Sequence, residues 1–178
     1  LILILCILIN LFSSFKIVAT EAEKKESKPL IIIDAGHGGE DGGTVAKDGT
    51  LEKDINLKIA LHLSELFRQN DYQVIMTRNT DTDLGIKSLA TVSERKKSDI
   101  IKRTEICNTE NAALVISIHQ NYFEESKYSG AQMFFGKNKN SSILASFIQN
   151  EIKTKLQPWN NREIKEGNGI YLLNNVQN

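Results

Sequence analysis

Ten residues, Leu30-Ile31-Ile32-Ile33-Asp34-Ala35-Gly36-His37-Gly38-Gly39, anchor the reading of this chain. The first half is a short, nearly unbroken apolar run, as expected of a strand buried on both faces, and the second is a glycine-rich loop that starts where the strand ends. Working outward, Leu51 to Gln69 carries Ile55, Ile59, Leu63 and Leu66 at helical spacing, with Leu51 one turn earlier and Thr50 as the expected N-cap. Tyr72 to Thr77 reads as a second strand, Thr80 to Ser98 as a long polar loop, and Asp99 to Glu110 as a helix with Ile100, Ile101, Ile106 and Cys107 on its apolar side. Ala113 to Ile118, Gly130 to Phe135 and Gly169 to Leu173 read as further strands. Ser141 to Leu156 reads as a helix, with Pro158 just past its end. Strands alternating with helices predict a single α/β domain, a mixed, mostly parallel sheet flanked by helices.

Composition narrows the function classes. The 178 residues carry 22 basic and 22 acidic side chains, and a net charge of zero argues against a broad basic face for nucleic acid. Two cysteines can neither staple a small scaffold nor form a four-cysteine zinc site. Cys107 reads as a small core residue and Cys6 as part of an apolar leader. That leader, Leu1 to Phe12, is broken only by Asn10 and runs into the charged stretch Glu21 to Lys28. It has the length of a signal-peptide core or part of a membrane anchor, and is short of the roughly 20 residues of a spanning helix. Residues 1–28 are therefore expected to export the protein, cleaved or anchored, and residues 29–178 to form the domain.

Two of the three histidines fall at strand ends: His37 in the glycine loop, and His119 in Ser117-Ile118-His119-Gln120-Asn121. In open α/β sheets ligands bind beyond the C-terminal strand ends, so both side chains can converge on one crevice. Glu52, in the first turn of the helix after the glycine loop, can turn a carboxylate toward the same edge. Two histidines and a glutamate make a three-ligand zinc set with a fourth position for water. Asp34 is the expected orienting partner of His37. Each residue alone has a plainer reading: a strand-end histidine as a hydrogen-bonder, or Glu52 as a charge favoured near a helix N-terminus. The glycine loop lacks the spacing and the Lys-Ser/Thr of a phosphate loop, which counts against a nucleotide-binding domain. His62, mid-helix, reads as a partly buried or surface histidine. Asp81, Asp83, Arg95, Lys96 and Lys97 read as solvated.

The segment Ile31 to Gly39, Glu52 in Leu51-Glu52-Lys53-Asp54-Ile55-Asn56-Leu57, Met76-Thr77-Arg78, Arg103-Thr104-Glu105-Ile106-Cys107-Asn108 and Ser117 to Asn121 together resemble the type 3 zinc-dependent N-acetylmuramoyl-L-alanine amidases, over Leu30 to Asn178. Gly130 to Phe135, Asn161-Arg162-Glu163 and Tyr171-Leu172-Leu173 are similar to the spore-cortex, germination-specific branch. The resemblance implies that His37, Glu52 and His119 bind one Zn²⁺. It implies hydrolysis of the amide joining N-acetylmuramic acid to L-alanine in peptidoglycan. In the cortex branch it also implies functional coupling to a peptidoglycan deacetylase that leads to muramic-δ-lactam. The alternatives are a vegetative autolysin and a wall-binding module that keeps the metal but does not catalyse. The family's general-base glutamate is expected on a strand after Tyr171-Leu172-Leu173, beyond Asn178. Glu40, Glu124, Glu125 and Glu166 lie in expected loops, and no base is assigned. The stretch to Asn178 is thus expected to lack its last strand and to bind metal without catalysing.

Overall fold

The computed structural model describes residues 28–109, 112–122 and 129–177. The leader with Cys6, and Glu124, Glu125 and Asn178, lie outside the described residues. Strand β1 (Leu30–Ala35) is the middle of a three-stranded sheet, flanked by β2 (Gln73–Met76) and β3 (Ala112–Ile118), and both pairings are parallel. Alternate residues of β1 feed two cores. Ile31, Ile33 and Ala35 pack with Ala60, Leu57, Leu63 and Phe67 of helix α1 (Glu52–Gln69). Ile32 packs with Cys107 and Ile106 of helix α2 (Val92–Cys107), and with Leu172. Burial on both faces is why β1 has no polar alternation.

The strand order places the site. The chain moves from β1 through α1 to β2 on one side, then through α2 back across β1 to β3 on the other. The helices lie on opposite faces, and a crevice opens at the C-terminal ends of β1 and β3, where the direction of winding reverses. Ala35 pairs with Ile118 and Gly36 N–H donates to Ile118 O at 3.1 Å, so the residues that follow each strand start side by side.

Several boundaries differ from the sequence reading. Helix α1 is capped by Leu51 and not by Thr50: the N–H groups of Glu52 and Lys53 donate to Thr44 O and Gly42 O of the glycine loop. The buried stripe of α1 is Glu52, Asn56, Ala60 and Ser64, while Ile59 and Leu66 are exposed. Helix α2 starts seven residues before the expected Asp99, because Thr91 and Glu94 form a reciprocal capping box. Of the expected fourth strand only β4 (Phe134–Phe135) forms. Side-chain amides hold the residues before it: Gln149 Oε1 accepts the Met133 N–H, and Ala131 O accepts from Gln149 and Asn160. Helix α3 (Lys139–Glu151) runs on through a wider π-helical turn, Ile152–Leu156.

The expected fifth strand is instead a short helix, α4 (Tyr171–Asn175), which turns Leu172 into the second core. The partner of β4 is β5 (Lys165–Glu166), in parallel. Glu166 therefore lies in a strand and not in a loop. Four apolar or aromatic residues in a row, Ile170 to Leu173, fit either period, and burial of Leu172 favours the helix. Among the described residues no helix is long and apolar enough to cross a membrane.

Candidate metal centre

The loop after β1 brings His37 to the crevice, and the residue after β3 brings His119. Glu52 reaches it from the first turn of α1. Their ligand atoms lie within 4.8 Å of one another. Glu52 Oε1 is 3.2 Å from His37 Nε2 and 3.1 Å from His119 Nδ1, and the imidazole rings meet edge to face at 4.8 Å between centroids. Ligands held at about 2.0–2.2 Å by a tetrahedral ion stand about 3.3 Å apart, so these separations suit a metal ion. The site opens on one side: the Glu52 side chain is 3% exposed, that of His37 24% and that of His119 47%.

Close backbone approach makes this convergence possible. A Cβ on Gly36 would lie 2.3 Å from His119 Cε1, and one on Gly43 would lie 2.7 Å from His37 Cδ2 and 2.8 Å from Glu52 Oε2. His37 itself has φ +61°, a left-handed conformation that costs a β-carbon residue about 1–2 kcal/mol and that its surroundings must enforce. Two buried guanidiniums contribute. Arg103 donates to His37 O at 2.6 Å and to Ala35 O at 2.7 Å, and Arg78 donates to Ala35 O at 2.8 Å and to Gly36 O at 3.0 Å.

Electrostatics favour an ionised Glu52. Burial pushes its carboxyl up, but hydrogen bonds from His119, the N–H groups of Thr44 and Gln120, and Asn56 outweigh burial and hold it well below the usual carboxylate range. The Nδ1 of His37 lies 2.8 Å from Asp41 Oδ2, and this hydrogen bond chiefly raises the His37 pKa and depresses that of Asp41.

Asp34 therefore does not orient His37, as the sequence reading expected. It is buried beneath the loop, where it accepts from Arg103, Thr77 and Ser117. Burial pushes its carboxyl up, yet the charge of Arg103 and the two hydroxyls bring it below its ordinary value. The carboxylate that meets His37 Nδ1 is Asp41, which the sequence reading missed. Its signal was available as an acidic residue four positions after a histidine in a glycine loop.

The polar stretch read as solvated is instead partnered. Lys53 pairs with Asp81, Lys87 with Asp83, Arg95 with Glu40 and Lys96 with Asp41, while Lys97 is exposed. His62 is exposed and Cys107 is fully buried, its thiol pushed up to about 12 chiefly by burial, both in keeping with the sequence reading.

The family model described as N-acetylmuramoyl-L-alanine amidase matches residues 31–178. The germination-specific N-acetylmuramoyl-L-alanine amidase of Bacillus subtilis (strain 168) is 40% identical over 151 residues, covering 84% of this chain and 63% of that protein. The N-acetylmuramoyl-L-alanine amidase AmiA of Escherichia coli (strain K12) is 30% identical over 129 residues, covering 72% of this chain and 40% of that protein. The chain thus spans less than two thirds of the length of these relatives. Among solved structures, the CwlD amidase from Clostridioides difficile, in complex with the GerS lipoprotein, superposes with a TM-score of 0.80 at 43% identity over 84% of this chain and 78% of that one. By the family model and by its relatives, this chain belongs to the type 3 N-acetylmuramoyl-L-alanine amidase family.

Proposed function

We propose that this protein hydrolyses the amide between N-acetylmuramic acid and the L-alanine of the peptidoglycan stem peptide, with Zn²⁺ held by His37, Glu52 and His119. The observation that carries the reading is the convergence of those three side chains at the crevice, with Glu52 3.2 Å and 3.1 Å from the two imidazoles. Zinc held there by His37, Glu52 and His119 would supply Lewis-acid chemistry toward the amide carbonyl and would acidify water for attack on it. The chain's own residues prepare the place. Glu52 is kept ionised by its hydrogen bonds, and Asp41 meets the far nitrogen of His37. Exposure of His119 leaves one side of the crevice open to a glycan strand.

The similarity to a germination-specific relative supports a finer assignment: the spore cortex, where removal of stem peptides prepares muramic acid for a deacetylase and for muramic-δ-lactam formation. Unchanged lactam content in spores lacking the gene would contradict the cortex role and favour a vegetative autolysin. Peptidoglycan lies outside the cytoplasm, so the reading includes export, with residues 1–28 as signal peptide or anchor plus linker and residues 29–178 as the zinc amidase domain.

A second reading, a zinc-containing wall-binding module without catalysis, is favoured by one observation. The carboxylates in contact with the two histidines are Glu52 and Asp41, and both are already engaged, so no catalytic base is assigned. Incubating the zinc-loaded protein with purified peptidoglycan and labelling new amino groups separates the two. Newly exposed L-alanine amino termini are the expected result for the amidase. Peptidoglycan bound but chemically unchanged is the result for the module.

A further inference from the structure

We propose that Lys96, acting through Asp41, is a positioning residue for His37, so that helix α2 sets the metal centre from outside it. The inference rests on reading His37, Glu52 and His119 as the metal set. Asp41 divides its two oxygens. Oδ2 lies 2.8 Å from His37 Nδ1, while Oδ1 lies 2.7 Å from Lys96 Nζ and accepts the Gly43 N–H at 3.3 Å. Both ring nitrogens of His37 face carboxylates, Nδ1 that of Asp41 and Nε2 that of Glu52, whose Oε1 lies 3.2 Å away. A carboxylate only accepts hydrogen bonds, so donation from Nδ1 to Asp41 reserves Nε2, on the Glu52 side, as the nitrogen a metal would take. Lys96 holds the carboxylate in the rotamer that makes this selection.

The same helix holds the rest of the loop. Arg95 donates to both oxygens of Glu40, at 2.5 and 3.0 Å, and Arg103 donates to the carbonyl of His37 at 2.6 Å. His37, Glu40 and Asp41 are thus tied to three cationic side chains of α2. His37 sits at a positive φ that only such over-determined contacts maintain. A lysine that served solubility alone would need no partner in the loop.

The test compares the full chain with Asp41→Asn, Lys96→Ala and Lys96→Arg. Zinc affinity is read by chelator competition, the ligand field by the absorption spectrum of the cobalt-substituted protein, and folding by the melting temperature of the metal-free protein. Asp41→Asn is expected to weaken zinc binding about 10- to 100-fold and to shift the cobalt spectrum. Lys96→Ala is expected to weaken binding about two- to fivefold with the metal-free melting temperature unchanged, and Lys96→Arg to restore wild-type affinity. Wild-type affinity and spectrum in Lys96→Ala, or in Asp41→Asn, would overturn the relay. So would an affinity loss in Lys96→Ala that follows an equal loss of metal-free stability and is not rescued by arginine. A wild-type chain that binds no zinc would overturn the metal reading and the relay with it, which distinguishes that failure from the others.

Discussion

A methyl group on Gly36 would sit 2.3 Å from His119 Cε1, closer than real carbon contacts allow, so Gly36→Ala must displace the imidazole or the strand end. The expected outcome is zinc binding at least tenfold weaker in a titration, with a stability cost of about 1–3 kcal/mol from overpacking. Retained zinc affinity would show that the crevice is looser than these distances imply. Asp34 makes a pH prediction at the same scale. Its folded pKa lies below its ordinary value, so the unfolded chain binds a proton that the native state excludes. The stability this contributes is fully present above about pH 4 and is lost as pH falls through the folded pKa. Ser117→Ala removes one of the bonds that depress it, at 2.6 Å. Urea denaturation should show the variant about 1.5–3 kcal/mol less stable at neutral pH, the hydrogen bond being to a charged group, with the difference shrinking as pH falls below about 4. A difference independent of pH would mean that the serine acts through something other than the ionised carboxylate.

Helix α2 depends on its first turn, where Thr91 and Glu94 exchange hydrogen bonds at 3.2 Å and 2.9 Å. Thr91→Ala is expected to cost about 1 kcal/mol and to lower the melting temperature by about 2–4 °C in a thermal scan, and an unchanged melting temperature would contradict the cap. This helix also marks where the sequence was hard to read. Its first half is charged because it faces the glycine loop and not a core, so apolar periodicity began only at Ile100 and the capping box went unread. By contrast β1 was legible from its unbroken apolar run, since a strand buried on both faces leaves no room for polar alternation. Helix α4 and the residues before β4 were misread for another reason. Each was assigned by a short apolar or β-prone run, while its conformation is set by distant partners, the second core for Leu172 and the Gln149 and Asn160 amides for Ala131 and Met133. The convergence of His37, Glu52 and His119 was legible because strand-end position follows from sequence order. The partner of His37 was not, because Asp34 and Asp41 are both near it in the chain and only the fold separates their directions.

At the scale of the molecule, strand order does most to create the site. Reversal of winding at β1 places one histidine after each of two adjacent parallel strands, and α1 delivers Glu52 between them. The buried layer beneath, Asp34, Arg103, Thr77 and Ser117, joins β1, β3 and the residue after β2 to α2, so the floor of the crevice is tied to that helix. Metal binding is therefore expected as a property of the folded chain, lost with any one ligand. The most direct measurement is the zinc content of the purified protein by mass spectrometry, together with calorimetric titration of the metal-free form, for wild type, His37→Ala, Glu52→Ala and His119→Ala. One zinc per wild-type chain and none retained by the three variants is the expected result. A wild-type chain without zinc, or a His119→Ala variant that still holds it, would contradict the account.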